Sequence, residues 1–227
     1  MLDRSTVSVK LIQTFVLSMA KRSTKDRIMD AAETLFALNG SSGASLRAIT
    51  RRAKVNLAAV HYHFGSKDRL LEAVLARRLL PLNAERIRRL ETYQKEAGRK
   101  KVRLENVIEA MVGPALRLSR DENKGGRIFM RLLGRLVLEP DARIQNLLTG
   151  QFETVLKKFM PSLTVALPHL SPEDFFWRLH FLVGSMAHTM ADSERIRLIS
   201  GGMCDPDNTE GTVQCLVTFL CGGLRAK

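Results

Sequence analysis

Leu46-Arg47-Ala48-Ile49-Thr50-Arg51-Arg52-Ala53-Lys54-Val55-Asn56-Leu57-Ala58-Ala59-Val60-His61-Tyr62-His63-Phe64-Gly65 is the stretch on which the fold turns. It reads as two short helices, Leu46 to Ala53 and Leu57 to Phe64, joined by the break Lys54-Val55-Asn56. Ile49, Ala53, Val55 and Val60 are spaced so that the pair can bury a small shared core against Leu35 and Phe36. Asn56 is placed to cap the second helix, which turns its first amides and its dipole outward. Its outer face then carries Asn56, Leu57, Ala58, His61 and Tyr62, with His63 at the edge. Small residues at Ala58 and Ala59 let such a helix sit deep in a major groove, and Arg47 and Lys67 lie where they can reach phosphates on either side. A plain helical hairpin satisfies the same periodicity. His61 and His63, at i and i+2 on a helix, point their rings apart, so no metal is expected there.

Outward from this segment, helical spacing dominates and strand alternation is nearly absent, so the fold class is all-α. Ile28, Ala31, Ala32, Leu35 and Phe36 form one apolar stripe, with Ser23 or Thr24 as cap and Gly40 as stop. Gly65-Ser66 opens a longer helix through Leu70, Leu71, Val74 and Leu75, expected to kink or end at Pro81 and to resume to about Ala97. Leu104–Ser119 carries a bend signal at Gly113-Pro114, and Arg127–Leu138 follows Gly125-Gly126. Pro140-Asp141 starts a helix to about Met160, and Pro161 to Leu170 reads as a loop. Ser171-Pro172-Glu173-Asp174 is a strong helix start, leading to about Met190. Residues 192–208 read as a loop, and Thr209 as the cap of a last helix to about Gly222. The domain reading is an extension over 1–22, disordered or frayed, a three-helix N-terminal domain with a helix-turn-helix over 23–68, and a larger helical domain over 69–227.

Composition narrows the partner. The 227 residues carry a net charge of +13, which points to a polyanion, either nucleic acid or an anionic membrane surface. Residues 21–69 hold ten Lys/Arg against four Asp/Glu, whereas residues 163–227 hold five against seven. A polyanion-binding front end fits that asymmetry; solvated helix faces are the plainer reading of it. No run approaches the ~18 apolar residues of a membrane span. Leu11 to Ala20 could pass for a short signal-peptide core, but Gln13, Thr14 and Ser18 dilute it and Asp3 weakens its basic start. Cys204, Cys215 and Cys221 are odd in number and lack a CxxC, so they read as three small buried hydrophobes in a reducing cytoplasm. No nucleophile elbow, Walker loop, dinucleotide fingerprint or HExxH occurs, so neither an enzyme nor a cofactor is expected.

The run Val55 to Lys67, preceded by Ile28-x-x-Ala31-Ala32-x-x-Leu35-Phe36, resembles the N-terminal DNA-binding domain of TetR-family transcriptional regulators over about residues 24–72. Two positions depart: Thr50 stands where the family is small and apolar, and Lys54 where its turn usually has Gly. Ile128 to Gly134 and Phe175 to Phe181 resemble segments of the subgroup that responds to long-chain fatty acids or their thioesters.

The resemblance implies a cytoplasmic homodimer that binds double-stranded operator DNA, represses, and is released by a small hydrophobic effector, without membrane association. It implies a dimer interface through the helices 172–190 and 209–222, where Gly184, Ser185, Ala187, Cys215, Thr218 and Gly222 permit close approach; core packing within one subunit is the alternative. It places an effector pocket between the middle helices, lined by Phe129, Met130, Leu133, Phe152, Phe176, Trp177 and Phe181, with Arg131, Arg178 and His180 to meet a head group. A regulator sensing an unrelated hydrophobic compound, or a basic helical protein using Arg77–Arg89 on a membrane surface, are the competing readings.

Overall fold

Ten α-helices make up the described part of the chain: α1 (Thr24–Gly43), α2 (Leu46–Ala53), α3 (Leu57–Phe64), α4 (Lys67–Ala97), α5 (Leu104–Arg120), α6 (Gly126–Val137), α7 (Ala142–Ala166), α8 (Pro172–Ala191), α9 (Glu194–Ile199) and α10 (Thr209–Arg225). The structure is a computed structural model that describes residues 23–121, 125–191 and 194–226. The extension expected over residues 1–22 lies outside the described residues.

Capping follows the sequence closely. The side chains of Ser23, Ser45, Asn56 and Ser66 accept from backbone N–H groups at the starts of α1 to α4. Gly40 adopts φ 76° and breaks α1, after which one short turn continues to Gly43. Ser171 accepts from the Asp174 N–H at the start of α8. At α10 the cap is Asn208 rather than Thr209: its Oδ1 accepts from Gly211 N at 3.0 Å, and the helix runs on to Arg225.

The prolines interrupt less than expected. Pro81 and Pro114 both lie inside continuous helices, α4 and α5. An interior proline costs about 3 kcal/mol, and the burial of Leu70, Leu71, Val74, Leu75, Leu79, Leu82 and Leu90 along α4 outweighs one lost N–H. Pro161 starts no loop either, because the buried stripe Val155, Phe159 and Leu163 carries α7 through it to Ala166. Within the expected loop 192–208 the chain makes the short α9. The cysteines divide: Cys221 is buried and its thiol is pushed up to about 11 by burial, whereas Cys204 and Cys215 are exposed, on a loop and on the outer side of α10.

α1 to α3 pack around Ile28, Ala32, Phe36, Ile49 and Val60, all fully buried. This unit is joined to the rest through α4 and α6, both of which pack on α1. Glu33 of α1, 4% exposed, is the ionic centre of that junction. Arg77 donates to it at 2.8 Å, and Arg78 approaches it with Nε at 3.0 Å and Nη2 at 2.9 Å. Arg77 also reaches Asp30 at 2.8 Å. From the other side Arg135 of α6 donates to the Leu38 carbonyl at 2.7 Å.

Candidate nucleic-acid interface

The turn between α2 and α3 is built from backbone first. Lys54 takes the left-handed conformation, φ 54° and ψ 49°, in the place where a glycine would be unstrained. Its N–H donates to Arg51 O, and Val55 N–H donates to Thr50 O. Arg27 of α1 fixes the turn from below: its guanidinium donates to Ala53 O at 3.1 and 2.6 Å and to Lys54 O at 2.6 Å. Three charge-assisted bonds to two carbonyls at the end of α2 lock the angle at which α3 leaves. Arg27 carries no periodic signal in the sequence and was invisible there. Thr50 sits buried where an apolar residue was expected, and its hydroxyl donates to Arg47 O at 3.0 Å, which removes the cost of burying it.

On α3, Val60 and Phe64 point into the core and the opposite face is bare. Asn56 caps, with Oδ1 accepting from Ala59 N at 2.9 Å. Leu57 and Ala58 are exposed, His61 is exposed with Nδ1 3.0 Å from Gly65 O, and Tyr62 stands clear of the surface at 86% exposure. His63 is half-buried and lies edge-on to both Tyr62 and Phe64. The exposed Arg47, Arg51 and Arg52 of α2 add positive charge beside this face; the last two were not singled out in the sequence, although their place in the last turn of α2 was readable. Lys67, half-buried, turns its ammonium toward the carbonyls of Ser42 (3.4 Å) and Ala44 (3.3 Å). The structure thus brings the named residues of α2 and α3 onto one protruding, basic edge.

A family model described as "Bacterial regulatory proteins, tetR family" matches residues 28–74, and one described as "Tetracyclin repressor-like, C-terminal domain" matches residues 109–223, just over half of the chain. The chain belongs to the TetR family. The HTH-type transcriptional regulator SrpR of Pseudomonas putida is 45% identical over 62 residues, which are 27% of this chain and 29% of SrpR. The curated relatives therefore align over less than half of their own length. Among solved structures, a tetR-family protein of Shewanella sp. PV-4 superposes with a TM-score of 0.57 at 16% identity, covering 90% of this chain and 97% of that one. The fatty acid degradation regulator FadR of Bacillus halodurans gives 0.54 at 16% identity, over 91% and 99% of the two chains. Both likenesses are of fold.

The larger domain of this TetR-family chain does not gather the expected effector residues around one cavity. Phe129, Met130 and Leu133 of α6 are sealed in the core between α1, α5 and α8. Phe152 of α7 is half-buried under a guanidinium, that of Arg86. Phe176, Trp177 and Phe181 are 64, 52 and 60% exposed on the outside of α8, with Trp177 stacked on Phe181. Helical rotation is the reason: on α8 it is Phe175, Leu182, Met186 and Met190 that face inward. Arg178 is occupied, donating to the carbonyls of Gly223, Leu224 and Ala226 at the end of α10. Arg131 is exposed, and so is His180, beside Trp177. An open cleft of about 1020 Å³ does run between α1, α4 and α5, with mixed walls: Glu33, Arg77, Arg78, Glu85, Arg89 and Arg117 beside Pro81, Leu82, Pro114, Leu118 and Ile128.

The stretch Arg77–Arg89 is likewise no free basic face. Arg77, Arg78 and Arg89 are held by Asp30, Glu33, Glu85 and Glu109, and Arg86 is buried, which leaves Arg88 exposed beside Glu85. Among the described residues no helix is long and apolar enough to cross a membrane.

Proposed function

We propose that the chain is a cytoplasmic transcriptional repressor that binds operator DNA as a homodimer and is released by a small apolar effector. The observation that carries this reading is the bare outer face of α3, on which Leu57, Ala58, His61 and Tyr62 are exposed while Val60 and Phe64 anchor the helix from behind. With small side chains at its start, α3 enters the major groove, His61 and Tyr62 meet base edges and phosphates, and the Asn56 cap leaves the first amides toward the backbone. Arg47, and Lys67 with the N–H left over from its two carbonyls, meet phosphates on the flanks.

Two such helices must lie about 34 Å apart to read successive major grooves, which requires a dimer. We place its interface on α8 and α10, where Phe176, Trp177, Phe181, Val183 and Phe219 are large apolar side chains left exposed. This reassigns the three α8 aromatics from an effector pocket to pairing between copies. The effector, a long-chain fatty acid or its thioester or another hydrophobic compound, acts on the larger domain and shifts the population toward a spacing that DNA does not accept.

A titration of the DNA upstream of the chain's own coding sequence, at 50 and 200 mM salt, tests the reading. Binding is expected to weaken by a factor of at least ~10³ between the two, as for a protein that neutralises six or more phosphates. The Tyr62→Ala variant should lose roughly tenfold in affinity while keeping its melting temperature. A salt-independent interaction, or an unaffected Y62A variant, would overturn it.

A further inference from the structure

Arg86 lies in the second half of α4 with 2% of its surface exposed. Its Nε donates to the Met111 carbonyl of α5 at 2.8 Å. Its Nη1 donates to Asn83 Oδ1 at 3.1 Å, and its Nη2 rests 3.8 Å from the Met186 sulfur of α8. The Phe152 ring of α7 faces the cation, with its centroid 5.7 Å from Cζ. Every group around the guanidinium is neutral, and among the described residues no carboxylate pairs with it. Arg77, Arg78, Arg89 and Arg117, all less buried, each have one.

A buried ion without a counter-ion carries an effective cost of several kcal/mol, so chains of ordinary design pair it or move it to the surface. Burial pulls the guanidinium only down to about 10, so it stays protonated at neutral pH. The molecule therefore holds a desolvated, oriented positive charge where four helices meet, against a backbone carbonyl, an amide oxygen, one thioether and one aromatic ring.

We propose that Arg86 is the anion-recognition group of the effector site, receiving the carboxylate of an organic acid whose apolar body lies between α4, α5, α7 and α8. The inference rests on the regulator reading for the term effector, but the binding site stands on its own. A carboxylate meets Nη1 and Nη2 together, end-on and bidentate, in exchange for one amide oxygen and one weak sulfur contact, while Nε keeps Met111. Met186 is flexible and polarisable enough to make room for the chain. α4 carries the consequence, because it also bears Arg77 and Arg78, which grip the DNA-binding unit through Glu33.

The test uses the full chain with hexanoate, decanoate and benzoate against the matched primary alcohols, followed by calorimetry and thermal unfolding. Stabilisation by at least one acid and not by its alcohol is expected, with affinity reduced tenfold or more in Arg86→Met. The unliganded R86M variant should melt at the wild-type temperature or above, since exchanging a buried ion for an apolar side chain of similar length is often neutral or stabilising. A purely structural role for Arg86 gives the opposite pair, a lower melting temperature and unchanged acid affinity, and overturns the proposal. Equal binding of acid and alcohol, or no binding of any acid at millimolar concentration, overturns it too. If R86M does not fold, Arg86→Lys and the wild-type arginine Nε resonance decide: an acid that leaves that resonance in place and binds R86K undiminished refutes the assignment. A chain that binds the acid but binds no DNA in its absence would instead refute the regulator reading alone.

Discussion

Lys54 and Arg27 show how a single turn is held against its own strain. A non-glycine residue at φ 54° costs about 1 kcal/mol, and Arg27 offsets it with bonds to the carbonyls of Ala53 and Lys54. Lys54→Gly should raise stability by about 0.5–1 kcal/mol, read as an increase of roughly 2–3 °C in a chain of this size. DNA affinity should fall slightly with the lost cation. Arg27→Met should do the reverse: a loss of about 1–3 kcal/mol, with hydrogen exchange accelerated at Val55 and Lys54 before it rises in α4. Equal protection of those amides in R27M and the parent would show that the turn needs no clamp. The departure from glycine was readable in the sequence, and so was the positive φ it entails. The clamp was not, because a guanidinium twenty-six residues away leaves no periodic trace.

The helices were legible wherever a cap and a stripe agreed. Ser45 and Asn56 mark the starts of α2 and α3 and do accept from the backbone there. Prolines misled because their effect is local, whereas the stripe of buried leucines around Pro81 acts along the whole of α4. On α8 composition gave the aromatics but not their direction, since Phe175 and Phe176 differ by about 100° of rotation, enough to bury one and expose the other. Two element-level contacts are open to measurement. Glu33→Gln leaves Arg77 and Arg78 without their shared carboxylate, and a buried pair broken from one side typically costs about 3–5 kcal/mol. Denaturant unfolding should register most of that, and independent melting of α1–α3 would be its structural sign. Glu105 of α5 is held down to about 2, first by the hydrogen bond from Arg225 of α10. A lowered carboxylate pKa stabilises the fold above the unfolded value near 4.5, and the contribution fades as pH falls toward 2. Glu105→Gln should therefore flatten the acid limb of the stability curve between those values and change nothing at pH 7 beyond a constant offset. An acid limb identical to the parent's would show that the pair does not hold in solution.

At the scale of the molecule, the basic half of the sequence resolves into two populations. The arginines of α2 remain open to solvent, while most of those on α4 are consumed internally by acids of α1, α4 and α5. A charge count shows the excess and conceals this division, which is also why Arg86 could pass for one more surface cation. Pairing through α8 and α10 is the remaining whole-molecule expectation. Trp177→Glu together with Phe181→Glu should give a monomer by light scattering at micromolar concentration, with secondary structure intact. Operator affinity should then fall by two orders of magnitude or more, because linked half-site binding multiplies affinity by about 10²–10⁴. A doubly substituted chain that still sediments as a dimer would place the contact elsewhere.

The grip of Arg77 and Arg78 on Glu33 sits about a third of the way along α4, which continues through Pro81 as one helix. At 1.5 Å per residue, roughly 16 Å of that helix extends toward Lys67 and about 13 Å toward Arg86. If the proposed effector tilts α4, the Glu33 carboxylate is the point about which it would turn. A tilt of ~5° would lift the Lys67 end by about 1.4 Å, and in the proposed symmetric pair the two displacements would add, so a modest swing in the interior would reappear as a change of gauge between the two copies of α3.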